Sequence, residues 1–256
     1  MKWNDVFCNT FKAMTAQLGL PPEDKSLPDI SRADDSDFCQ EILSQGWLSE
    51  AQLHRAARRY RLGKSRSGKC IFWMINEIGQ TVDGHIGSGW VSTMLKQRYP
   101  ECSRYIRPEH CLFGLHLASE DEQRPVAIVE SERSAVILSE LLPKQLWMAT
   151  AYPSNFDLLS LAPLQGRRVI LYPRTDPAME HYLAWLEIAD QARRKYQLDI
   201  TVRNFLEEQA TPSRRSGRSI CGTISGRAFR ASKRCEWSLQ TPLLEPPNTS
   251  DGTTKK

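Results

Sequence analysis

Open α/β folds place their chemistry where a strand ends, and this chain carries acids at two such places. The apolar run Val126 to Val129 follows Pro125 and ends on Glu130, after which Ala135, Leu138 and Leu142 recur on one helical face. A second run, Val169 to Pro173, ends the same way and is followed by Arg174 and Asp176. If both runs are parallel strands, Glu130 and Asp176 stand at the lip of one sheet. Two carboxylates so placed can share a magnesium ion, which takes oxygen ligands, keeps several waters and needs only one or two protein acids beside a phosphate. The ion would stabilise charge on a transferring phosphoryl group while another carboxyl moves protons. The plainer reading of Glu130 alone is an acid at a helix N-terminus, worth about 0.3 to 1 kcal/mol.

The elements that must position these acids follow from periodicity. After the Val126–Val129 strand, the pattern predicts a helix from Glu132 to Leu142, strands over Trp147 to Ala151 and Arg168 to Tyr172, a long helix, and a strand from Asp199 to Val202. In the long helix Tyr182, Trp185, Leu186, Ala189, Ala192 and Tyr196 share one stripe, which suits a helix covering a sheet. Strands alternating with helices imply a mostly parallel sheet with right-handed crossovers.

Upstream, Asp37 to Ser44 reads as a short helix. Ser49 and Gln52 form a capping box before Leu53, Ala56, Ala57 and Tyr60, with Gly63 as the helix stop. The triplet Gly63-Lys64-Ser65 is not a phosphate loop, because the glycine that motif needs five positions earlier is Arg58. Cys70 to Asn76 and Gln80 to Ile86 flank Gly79 as a β-hairpin, Trp90 to Arg98 is helical, and Cys111 to Leu117 is extended. His110, Cys111 and His116 offer metal-ligand types but lack a fourth ligand, so local packing is preferred and no zinc is expected.

The organisation this suggests is an N-terminal helix with an acidic linker (1–36), a helical pair with hairpin (37–123), an α/β domain (124–210) and a basic tail (211–256). Before Thr211 there are 25 Lys or Arg against 27 Asp or Glu; from Thr211 onward there are nine against three. Attraction for polyanions is therefore assigned to the Ser-, Gly- and Arg-rich tail, which reads as disordered, through Arg214, Arg215, Arg218, Arg227, Arg230, Lys233 and Arg234. Phe229 and Trp237 are available there for base stacking. The seven scattered cysteines, with no CxxC pair, fit reduced thiols in a cytoplasm, and no apolar stretch reads as a signal peptide or membrane span.

Taken together, VAIVESERSAV and, about forty residues on, RRVILYPRTDP resemble the Toprim fold of bacterial-type primases, topoisomerases and related nucleases. A closer resemblance is to an uncharacterised, primase-related Toprim-like family carried by bacterial mobile elements. It rests on Ile71 to Trp73, on Cys111 to Gly114 with His116, on Val129 to Glu132 and on Leu171 to Pro173, and it spans roughly Asp37 to Glu208. The resemblance implies a strand-ending acid/base at Glu130 and a magnesium ligand at Asp176. Arg174 stands where the family has the first Asp of a pair; a guanidinium cannot ligate magnesium and can contact phosphate instead. The turn Ala151-Tyr152-Pro153-Ser154 lacks the family's glycines, and residues 1–36 show no zinc module, which argues against a polymerising primase. Three readings follow. One is a DNA- or RNA-contacting protein whose magnesium site is weakened or lost. Another is a magnesium-dependent nuclease or nucleotidyl transferase, with Glu132 or Asp157 assisting Glu130 and Asp176. The third is a non-enzymatic module that binds a replication or mobilisation protein.

Overall fold

The structure, a computed structural model, describes residues 35–65, 67–106, 111–151 and 156–204. The predicted N-terminal helix, nearly all of the acidic linker and the basic tail with its seven assigned cations lie outside them. Two helices open the described part, α1 (Asp37–Ser44) and α2 (Glu50–Arg59). Ser36 Oγ accepts from the Cys39 N–H at the start of α1, and Ser49 with Gln52 makes the expected reciprocal cap on α2.

Helix α2 ends earlier than the glycine suggested. Arg61 adopts φ 50°, its N–H reaches the Arg58 carbonyl, and the Leu62 N–H reaches Ala57. This is the double closure that usually carries glycine at the left-handed position. Gly63 instead belongs to a two-residue strand, β1 (Gly63–Lys64), the outer member of an antiparallel sheet ordered β1-β2-β3-β4, with β2 Cys70–Ile75, β3 Thr81–Ile86 and β4 Gly89–Trp90.

All six residues of β2 are buried, because both faces of this sheet are covered. Cys70, Phe72 and Met74 face the main core, while Ile71, Trp73 and Ile75 pack with Ile86, Val91 and Leu95. Val91 and Leu95 come from α3 (Val91–Arg98). Glycines leave room for the Trp73 indole on either side: a Cβ at Gly63 or at Gly84 would lie 2.6 Å from the ring system. The segment predicted to be extended, Cys111 to Leu117, makes a single bridge, Phe113 to Ala149, and then turns into a 3-10 helix over Leu115–Ala118.

The second sheet is parallel and ordered β6-β5-β7-β8, with β5 Val126–Val129, β6 Leu146–Ala149, β7 Arg168–Leu171 and β8 Asp199–Val202. Helix α4 (Glu132–Leu141) connects β5 to β6, and α5 (Glu180–Tyr196) connects β7 to β8. Between β6 and β7 runs a 3-10 segment, Leu159–Leu164, containing Pro163. The chain leaves β5 toward one edge and returns to β7 on the other side, so the order of travel reverses between β5 and β7. Right-handed crossovers then direct successive connections to opposite faces. Helix α4 packs against α2, and Phe156 lies against Trp185 of α5, ring centroids 4.5 Å apart.

The result is a mixed α/β protein with a parallel sheet flanked by helices. Helices α1 and α2, strand β2 and the parallel sheet share one hydrophobic cluster running from Phe38 to Ile200. Tyr60 lies across the 123/124 boundary drawn from the sequence: its ring stacks on Phe113 and its hydroxyl donates to the Trp147 carbonyl at 2.7 Å. Burial pushes that phenol far above its ordinary pKa. Arg55 and Arg59 of α2 both grip Glu140 of α4, at 2.8 and 3.0 Å. Among the described residues, no helix is long and apolar enough to cross a membrane.

Candidate functional site

Glu130 follows β5 and Arg174 follows β7, at the carboxyl ends of the two strands between which the connectivity reverses; open sheets bind ligands at such a crevice. The Glu130 backbone is held by the Thr150 hydroxyl on its carbonyl (3.4 Å), and its neighbour Val129 accepts from the Thr150 N–H. Its side chain is only 8% exposed, and two cationic or donor groups meet it. Arg174 Nε lies 3.1 Å from Oε2, and the Arg174 backbone N–H points at Oε1 from 3.4 Å. His181, in the first turn of α5, places Nδ1 3.3 Å from Oε1.

The third side of this triangle is the contact between Arg174 Nε and His181 Nε2, at 2.9 Å. A guanidinium only donates, so His181 Nε2 accepts and the ring proton lies on Nδ1, directed at Glu130. Carboxylate, imidazole and guanidinium thus form a closed ring of donors and acceptors. Burial pushes the Glu130 carboxyl above its usual range, against the pull of the Arg174 guanidinium.

Asp176 has a different task. Its Oδ1 accepts from the N–H groups of Ala178 (3.0 Å) and Glu180 (3.1 Å), and its Oδ2 accepts from that of His181 (3.0 Å). The Glu180 and His181 N–H groups are orphan donors at the start of α5, which Asp176 caps from outside the helix; Ala178 belongs to the turn before it, and Met179 follows at φ 58°. Burial works against the Asp176 charge, but the N–H groups of His181, Glu180 and Ala178 prevail and hold its pKa below the usual value.

The two acids named as helpers are engaged elsewhere. Glu132 Oε1 lies 2.6 Å from Nδ1 of His85 on β3, a buried pair that ties the antiparallel sheet to the first turn of α4. Asp157 Oδ1 accepts from the N–H and hydroxyl of Ser160, closing the turn before the 3-10 segment. His116 donates through Nε2 to the Arg59 carbonyl (3.1 Å), answering one of the open carbonyls at the end of α2. Its Nδ1 is buried with no hydrogen-bond partner among the described residues, and burial lowers the ring pKa to about 4. Ala151 reaches φ 65° without being glycine; residues 152–154 of the same turn lie outside the described residues.

A resident magnesium ion fits these residues poorly. Glu130 is held by a guanidinium and an imidazole, Asp176 by three amides, and a fixed positive charge lies between β5 and β7. Among the described residues, no three His, Cys, Asp or Glu converge as a metal group. What the arrangement can do is present a cation, and a histidine that holds its orientation, to an anion at the sheet edge.

Two residues of this chemistry are missing from the sequence reading. His181 is the second residue of α5, one turn after the acidic cap, and that placement was its signal. His85 belongs to a strand whose last four residues, Asp83 to Ile86, are all buried, so a polar residue there needed a partner.

The fold and site define an α/β protein with a strand-end carboxylate–guanidinium–imidazole cluster. A family model described as a domain of unknown function, DUF6371, matches residues 36–175, more than half of the chain, and the chain belongs to that family. The match takes in His85, Glu130, Glu132 and Arg174 and ends just before Asp176 and His181. No curated protein and no solved structure matches the chain.

Proposed function

We propose that this chain is a nucleic-acid-associated protein of the Toprim-like, primase-related kind, whose strand-end site contacts phosphate through Arg174 in place of holding magnesium. The observation that carries this reading is the ion pair between Arg174 and Glu130 at the reversal of the parallel sheet. A planar guanidinium beside an imidazole suits a phosphodiester oxygen pair, and Glu130 is the internal anion that an incoming phosphate would displace.

The test is binding of a labelled single-stranded oligonucleotide, followed by fluorescence anisotropy, for the parent, Arg174→Ala and Glu130→Gln. Loss of a charge-assisted contact is expected to weaken binding by about tenfold or more in Arg174→Ala. Removing the internal competitor is expected to tighten it in Glu130→Gln. Unchanged affinity in both variants, or no binding by the parent at low salt, would sink the reading.

A hydrolytic reading has one observation in its favour: Glu130 is buried at the end of β5, and burial pushes its pKa upward, in the direction general acid work requires. Oligonucleotide cleavage in the parent with magnesium added, lost in Glu130→Gln, would put a nuclease or nucleotidyl transferase ahead.

A further inference from the structure

Between Glu50 and Glu77 the sequence holds seven Lys or Arg and no Asp or Glu, in a chain whose first 210 residues are otherwise slightly acidic. All but Arg66, which lies outside the described residues, fall along α2, β1 and the turn into β2. Several arginines elsewhere in the molecule are engaged by the protein itself. Arg167 donates to the carbonyls of Ala118, Asp121 and Arg124, Arg193 to that of Ile200, and Arg133 pairs with Glu41. Within the basic run, Arg55 and Arg59 are likewise engaged by Glu140, and Lys64 lies 3.5 Å from an exposed oxygen of Asp35.

Arg58, Arg61 and Lys69 differ. None of the three makes an ion pair or side-chain hydrogen bond with a described residue, and Arg58 and Lys69 are exposed. Asp37, at the start of α1, already accepts from the Phe38 and Cys70 N–H groups. The helix dipole accounts for a cation at Arg58 but not for those beyond the helix end. Arg61 occupies a left-handed position where glycine or asparagine costs less, so this site carries a charge at some conformational expense.

The three are spread along one stretch of the fold. Strand β1 is the outer strand of its sheet, Lys64 pairs with Cys70, and the Ser65 N–H on the Lys69 carbonyl (2.9 Å) closes the connecting turn. Arg61 and Lys69 therefore lie beyond opposite ends of a two-residue strand, about 15 Å apart, and the Lys69 ammonium reaches toward the β3–β4 turn, 3.7 Å from where a Cβ on Gly87 would stand. Exposed charges so spaced are largely screened from one another at 0.1 M salt, so each would meet a separate phosphate.

We infer that this edge, centred on Arg58, Arg61 and Lys69, is a binding surface for the phosphate backbone of a nucleic acid, without base recognition. The inference rests on the nucleic-acid reading above but uses a surface separate from the Glu130 site. A membrane surface fits less well, because interfacial binding needs inserted apolar side chains, and none of the exposed large hydrophobics (Leu43, Ile78, Met94, Leu159, Leu183) falls within the run.

The experiment uses the full chain and three labelled probes, a DNA strand, an RNA strand of the same sequence and a DNA duplex, between about 50 and 200 mM salt. The triple variant Arg58→Gln, Arg61→Asn, Lys69→Gln is compared with a charge-matched control, Lys144→Gln, Arg194→Gln, Lys195→Gln. Asparagine tolerates the left-handed backbone; if the triple still melts early, Arg58→Gln with Lys69→Gln replaces it. The triple is expected to weaken binding of every probe it shares with the parent by about tenfold or more. It is also expected to lower the single-strand salt slope by about two, whereas the control stays near the parent. Equal affinities of triple and control, in a parent that binds and that Arg174→Ala weakens, overturn this inference alone. A parent that binds no probe at low salt, or that binds anionic vesicles and no oligonucleotide, overturns both. Preference for DNA strand, RNA strand or duplex identifies the source of the phosphates.

Discussion

Arg174 meets Glu130 and His181 at once, so no one of the three can be changed without leaving another short of a partner. Arg174→Ala leaves a buried carboxylate with one neutral donor. The cost is expected to be about 2 kcal/mol in urea unfolding, kept moderate because the guanidinium is a third exposed. In the background of Glu130→Gln the same change is expected to cost clearly less, and strict additivity would mean the two side chains do not interact. His116 gives a pH signature of its own. Its pKa falls from 6.5 to about 4 on folding because the ring is buried, so the unfolded chain takes up the proton first. The neutral-ring contribution is complete above about pH 6.5 and is lost as the pH falls toward 4, on the order of 3 kcal/mol in all. His116→Gln can still donate to Arg59, and its stability is expected to decline less over that window; parallel curves for the two proteins would contradict the assignment. At this scale the sequence made Glu130 and Arg174 legible because strand ends are marked by apolar runs. Nothing in it brought His181 and His85 to the acids, because those contacts join residues that lie far apart along the chain or on different sheets.

The elements were readable to the extent that periodicity and caps mark them. The capping box of α2, the hairpin, the β5–α4 unit and the stripe of α5 all stand where the pattern placed them, and the exceptions have local causes. Gly63 was taken as a helix stop, yet Arg61 supplies the left-handed residue and Gly63 makes room for Trp73. Cys111 to Leu117 is apolar enough for a strand but pairs only at Phe113 before Gly114 (φ 82°) turns it aside. Asp176 was read as a metal ligand from its place after a strand, whereas its oxygens cap α5. That reassignment is open to a direct check. Asp176→Asn keeps one of the two acceptor oxygens and is expected to lose less than Asp176→Ala, which loses about 1 kcal/mol. Equal melting of all three proteins without magnesium, with added magnesium stabilising the parent alone, would restore the ligand role.

Across the whole molecule, the two sheets are held in one body by a core they share. Tyr60 is the clearest link, since its ring lies against Phe113 and its hydroxyl donates to the carbonyl of Trp147 on β6. Tyr60→Phe keeps the stack and leaves the Trp147 carbonyl without that donor. It is expected to cost about 1 to 2 kcal/mol while near-ultraviolet dichroism and total fluorescence still report one coincident transition; separate transitions would show that the sheets unfold independently. The run of positive charge along α2 and β1 could have been read directly from the sequence. It was hidden by averaging charge over 210 residues, which cancels a local excess against acids elsewhere.

The central claim, that a guanidinium has taken over a strand-end acidic site, is tested most directly by titrating magnesium into the parent and Arg174→Asp, followed calorimetrically. Arg174→Asp is expected to gain saturable binding that the parent lacks, since a second carboxylate then faces Glu130 across the reversal of the sheet. Equal, saturable binding by both proteins would contradict the claim, because Arg174 would then not be what keeps the ion out.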